Sequence, residues 1–81
     1  MPIVFRHNGY RFFFYSNEGM PREPLHIHVR KGDALAKFWL KPIPEIADSY
    51  KLSAQELHEL LDIAIHHKKE IVRYWNEYFG N

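Results

Sequence analysis

The sequence contains no cysteine in its 81 residues. That excludes disulfides, thiolate nucleophiles and cysteine-ligated zinc together. Charge of one sign is not in excess either: 11 Lys and Arg stand against 10 Asp and Glu, a net charge of +1. Bulk electrostatics therefore favour neither nucleic acid nor a membrane, and any basic site must arise from local placement. No apolar run approaches the roughly 18 residues of a membrane span, and Met1-Pro2-Ile3-Val4-Phe5-Arg6 lacks a signal-peptide pattern. A cytoplasmic protein with no membrane partner is the expectation. The P-loop, the G-x-G-x-x-G fingerprint and H-E-x-x-H are all missing. Ser16, Ser49 and Ser53 are the only serines, which leaves a nucleophilic triad little to work with. There are no internal repeats or linkers, so residues 1–81 read as a single domain.

Aromatic residues are what the chain has in abundance: six Phe, five Tyr and two Trp make up 16% of it. At roughly 150–250 Å² each, these rings amount to on the order of 2,000–3,000 Å² that prefers to leave water. A domain of this size buries only about 60% of its unfolded surface. Some rings are thus left over for a partner.

The order of elements follows from turns and periodicity. Residues 3–7 and 10–16 are β-rich and flank Asn8-Gly9, a pair suited to the positive φ angles of a type I′ hairpin turn. A loop holding Gly19, Pro21 and Pro24 leads to strands at about 25–31 and 34–40, joined by Gly32-Asp33. Pro42 and Pro44 end the last strand. After a connector, Ser53-Ala54-Gln55-Glu56 is a capping box that opens a helix over about 54–79, with Gly80 at its end. The expected fold is α+β: a four-stranded, mainly antiparallel sheet of two hairpins, with one long C-terminal helix packed on one face.

The two turns also predict register. Phe5 should face Phe12, Ile3 should face Phe14, and Arg6 should face Arg11. In the second hairpin Ile27 should face Phe38, Val29 should face Ala36, His28 should face Lys37, and His26 should face Trp39. One sheet face then gathers Ile3, Phe5, Phe12, Phe14, Leu25, Ile27, Val29, Ala36 and Phe38 as the core. The other gathers Val4, Arg6, Arg11, Phe13, Tyr15, His26, His28, Arg30, Leu35, Lys37 and Trp39. That second face carries four fixed cations, two histidines and no carboxylate. Arg6 opposite Arg11 is a small destabilisation that an anionic partner would relieve. The plainer alternative is that long basic stems merely cover apolar surface.

The helix has an apolar arc wider than one sheet face needs, from Leu57, Leu61, Ala64, Ile71, Val72, Trp75 and Phe79 to Leu60, Ile63, His67, Tyr74 and Tyr78. Twenty-six residues would also span roughly 40 Å, against about 23 Å for a seven-residue strand. Either the helix overhangs and packs on a second chain, the preferred expectation, or it breaks near His66-His67.

For chemistry, His26 and His28 lie at i and i+2 and share a strand face. Two imidazoles within reach of one ion suit zinc or another first-row metal, with His7, Glu18, Asp33 or His66-His67 as third ligand, none at a diagnostic spacing. The alternative is two histidines filling a half-buried strand beside Trp39. No cofactor is predicted beyond that divalent ion. A second chemistry is acid–base work on a phosphodiester by the histidines, with Arg30, Lys37, Arg6 or Arg11 on the developing charge and Phe13, Tyr15 and Trp39 stacking bases. An enzyme built this way would be a small histidine-dependent ribonuclease.

Three blocks in order, Gly9-Tyr10-Arg11-Phe12-Phe13-Phe14-Tyr15-Ser16-Asn17-Glu18-Gly19, Glu23-Pro24-Leu25-His26-Ile27-His28-Val29 and Ala36-Lys37-Phe38-Trp39-Leu40, resemble a family of small bacterial proteins called domain of unknown function 4160. The resemblance extends to the helix start at Glu56-Leu57 and to Trp75-Asn76-Glu77-Tyr78-Phe79 near the end. The family pattern has Pro-Pro before His-x-His, where this chain has Pro24-Leu25. The resemblance implies one half of a two-gene, toxin–antitoxin-like module; with the cationic aromatic face and the over-wide helix arc, the expected partners are RNA, a small cognate protein or a second copy of the chain. It singles out Ser16, Asn17, Glu18, His26, His28, Lys37 and Trp39, with Asn17 and Glu18 placed to orient an imidazole. A protein-interaction module without catalysis is the alternative.

Overall fold

The computed structural model describes residues 3–15 and 23–80. Five antiparallel strands form one sheet in the order of the chain: β1 Ile3–His7, β2 Tyr10–Phe13, β3 His26–Lys31, β4 Ala34–Trp39 and β5 Glu45–Tyr50. Two helices follow, α1 Ala54–His66 and α2 Lys68–Phe79. The architecture is α+β, as expected. It has one strand more than expected, and the single long helix is two.

Both hairpin turns form as their sequences dictate. Asn8 and Gly9 take φ of 49° and 83°, and Gly32 takes 58°. The paired registers Phe5↔Phe12, Arg6↔Arg11, His26↔Trp39, Ile27↔Phe38, His28↔Lys37 and Val29↔Ala36 match those the turns imply. At the start of β1 they do not. A bulge lies between Ile3 and Phe5, so Ile3 pairs with Phe13 rather than Phe14. One extra residue inverts the faces before it. Val4 is therefore in the core and Ile3 is only half-buried.

β5 arises in the segment expected to be a connector. Glu45-Ile46-Ala47-Asp48-Ser49-Tyr50 has no clean alternation, and every residue of the strand is exposed. Its pairing with β4 carries a second irregularity at Lys37/Phe38. Bulges and charged side chains at an edge discourage further strand addition.

The helix divides at His67, which leaves helical geometry at φ −99°, ψ 16°. Its imidazole stacks on Phe5 with centroids 4.0 Å apart, and its Nδ1 lies 2.9 Å from Glu70 Oε1. The break lays α1 against β5 and α2 against β1. The longest dimension of the domain is 34 Å, shorter than the roughly 40 Å of an unbroken helix. The overhang that favoured a second chain is absent, and each half-helix carries its own apolar face. Leu57, Leu60 and Ala64 of α1, with Ile71 and Trp75 of α2, close the core over Phe12, Phe14, Leu25, Ile27, Val29, Phe38 and Leu40. Among the described residues no helix is long and apolar enough to cross a membrane.

The capping box forms in both directions. The Ser53 N–H donates to Glu56 Oε1 at 2.8 Å, and the Glu56 N–H donates to Ser53 Oγ at 3.1 Å. The Ser53 bonds, backbone first, lower the Glu56 pKa. Burial, then the Glu56 charge, pushes the Tyr10 phenol up. Ser53→Ala is expected to cost about 1 kcal/mol in urea denaturation. A carboxyl whose pKa is lowered in the folded state stabilises fully above its unfolded value of about 4.3. That contribution is lost as pH falls through the folded value. The stability gap between wild type and Glu56→Ala, which removes the carboxylate that the Ser53 N–H holds, should thus narrow in acid.

Candidate functional site

The outer sheet face, opposite the helices, is ordered into cross-strand rows by the register. One row runs Ile3, Phe13, His28, Lys37 and Asp48 from β1 to β5. The next runs Arg6, Arg11, Arg30, Leu35 and Tyr50. The Arg6–Arg11 pair was legible from the Asn8-Gly9 turn. The Arg11–Arg30 pair was not, because β2 and β3 are separated by residues 14–25, whose sequence carries no two-residue turn signal such as Asn-Gly.

Three guanidinium groups on neighbouring strands repel one another. Arg30 Nε donates to the Gly32 carbonyl at 3.2 Å. Among the described residues no carboxylate makes an ion pair with Arg6, Arg11 or Arg30. All three remain at least partly exposed. The row concentrates three guanidinium groups along one stretch of the face.

Beside the row lies an open groove of about 220 Å³, lined by Phe13, Tyr15, His28, Leu35, Lys37, Asp48 and Tyr50 among others. Phe13 is its floor, only 1% exposed, and stacks near His28 at 5.6 Å. Tyr15 and Tyr50 are its exposed rings. Phe13 thus supports a surface instead of offering one. Trp39 is not in the groove lining. The Lys37 ammonium sits 4.3 Å over its ring, a cation–π contact, and the same ammonium donates to Glu23 Oε1 at 3.3 Å.

The histidine pair divides. His28 is half-buried and lines the groove. His26 is fully buried. Its Nδ1 donates to the Pro24 carbonyl at 2.9 Å, and its ring meets Trp39 at 5.3 Å and Trp75 at 5.2 Å. The two imidazoles stand edge to face at 5.1 Å. Expected third ligands lie elsewhere: His7 contacts Asn8 at the hairpin turn, Asp33 pairs with Lys51, His66 donates to the Asp62 carbonyl, and His67 stacks on Phe5. Among the described residues no three His, Cys, Asp or Glu side chains gather as a metal site. Ser16, Asn17 and Glu18 lie outside the described residues.

Two carboxylates correct the expectation of an acid-free face. Glu23 bonds Lys37 and approaches His26 at 4.0 Å. Asp48 reaches the groove because β5 is a strand. Neither had a local signal, since one precedes β3 and the other lies where no strand was expected.

A family-level comparison matches residues 9–76 to the domain of unknown function DUF4160. The chain belongs to this family. The DUF4160 match takes in β2 to β5, α1 and most of α2, and so covers the groove, Arg11 and Arg30, while Arg6 lies just before it. Comparison of this DUF4160 chain with curated proteins and with solved structures returns no match.

Proposed function

We propose that this DUF4160 chain binds single-stranded RNA on its outer sheet face, as one component of a toxin–antitoxin-like pair. The observation that carries the RNA reading is the Arg6–Arg11–Arg30 row, unneutralised among the described residues and running directly into an aromatic groove. Arginines along a sheet engage backbone phosphates, and exposed rings beside them stack splayed bases. A duplex buries its base faces, so the rings favour a single strand. The pairing with a cognate partner rests on the family resemblance.

Binding without cleavage is the reading we favour over a ribonuclease. General acid–base catalysis requires groups within hydrogen-bond reach of the reacting proton. Of the two histidines only His28 lines the groove, while His26 is enclosed by Trp39 and Trp75.

Fluorescence anisotropy with labelled, unstructured RNA of eight nucleotides tests the proposal. Binding that weakens steeply with salt and is stronger than to a duplex of the same length supports it. No binding at 50 mM salt, or equal affinity for the duplex, overturns it.

A further inference from the structure

Asp48 is an anomaly on a face otherwise built to attract anions. Its cross-strand neighbour is Lys37, the expected ion-pair partner. The Lys37 ammonium instead goes to Glu23 at 3.3 Å and to the Trp39 ring at 4.3 Å. Among the described residues Asp48 makes no ion pair. One oxygen, Oδ1, accepts from the Ser49 N–H at 2.9 Å, which orients the carboxylate and leaves Oδ2 and further lone pairs available. This acceptor-only group lines an aromatic groove whose volume, about 220 Å³, is below the roughly 300–1,000 Å³ of drug-sized ligand sites. One planar ring system suits that space.

We propose that the groove selects guanine within the bound strand, Asp48 reading its Watson–Crick edge; the inference rests on the RNA-binding reading above. A carboxylate presents two acceptors side by side and recognises paired donors. Guanine carries two adjacent donors on that edge, N1–H and the N2 amino group. Adenine and cytosine each set one amino donor beside a ring-nitrogen acceptor, which repels a carboxylate. Uracil sets its single N–H between two carbonyls. Arg30 lies across from Leu35, a groove residue, so a phosphate held by the arginine row delivers its neighbouring base to Asp48.

The test compares eight-nucleotide oligoadenylate with the same oligomer carrying one central guanosine, by anisotropy with wild type and Asp48→Asn. Asp48 is exposed, and a thermal melt confirms that the variant is folded. The expected result is about tenfold tighter binding of the guanosine oligomer to wild type, the discrimination of one good bidentate pair. In Asp48→Asn the ratio should fall to about one. Inosine, which lacks the N2 amino group, should give an intermediate ratio. Free GMP should compete only at far higher concentration than the oligomer, since it cannot span the arginine row. Equal wild-type affinity for both oligomers overturns the guanine inference and leaves RNA binding standing. So does a preference that survives Asp48→Asn, or GMP competing as well as the oligomer. Failure to bind either oligomer overturns both readings.

Discussion

Replacing Arg6, Arg11 and Arg30 together by alanine is expected to weaken binding of single-stranded RNA about 100-fold at 0.1 M salt. Each phosphate neutralised on a single strand releases about 0.7 of a counterion. With three phosphates no longer neutralised, at a salt concentration tenfold below the 1 M reference, affinity falls by about two decades. The same substitution should lower the slope of log K against log salt by about 2. Stability should not fall, because the three side chains lie opposite one another in one row and make no ion pairs among the described residues. Removing a like-charge row relieves repulsion. Anisotropy titrations at several salt concentrations, with a urea melt of the same protein, measure both effects. Weaker affinity with an unchanged slope would mean that the arginines act through folding and not through phosphates.

The second large effect concerns His26. On the sequence, His26 and His28 are equivalent outer-face residues at i and i+2 of one strand. The structure separates them. His26 has no exposed surface, packs between Trp39 and Trp75, and donates to the Pro24 carbonyl. Its loss leaves a cavity beneath α2, so His26→Ala should cost about 3 kcal/mol. In a domain of this size that corresponds to a fall in Tm on the order of 10–20 °C. His28→Ala, at a half-exposed position, should cost less than about 1 kcal/mol. His26→Phe supplies a control: it keeps a ring between the tryptophans while losing the hydrogen bond to the Pro24 carbonyl, so it should recover most of the loss. Equal stability losses at the two histidines in thermal melts would contradict this placement.

How much of this was legible depends on which local signals were strong. Asn8-Gly9 and Gly32-Asp33 set two hairpins and, with them, the facing of Arg6 with Arg11 and of His28 with Lys37. Ser53 and Glu56 marked the start of α1 in full. What was not legible depended on residues distant in the chain. The bulge that sends Val4 inward answers to the core, not to the pattern of Ile3-Val4-Phe5. β5 has an exposed, irregular sequence that only pairing with β4 makes into a strand. The break at His67 was one of two readings of an overlong helix, and its stacking on Phe5 joins residues from opposite ends of the chain. At the site, the arginine row required the β2–β3 register, for which the sequence between these strands carries no two-residue turn signal. Burial of His26 required α2 to carry Trp75 to it. Alternation assigns a side chain to a face, but a helix decides whether that part of the face is covered.

The most direct test of the outer face as the RNA surface is an amide NMR titration with unstructured single-stranded RNA. Lys41, His66, Lys68 and Lys69 line a second basic surface around Ile65 and Val72, so the map can fail visibly. Binding on the outer face predicts the largest shifts at Arg6, Arg11, Arg30, Leu35, Asp48 and Tyr50. Shifts concentrated at Lys41, Lys68 and Lys69, or none at saturating RNA, would contradict it.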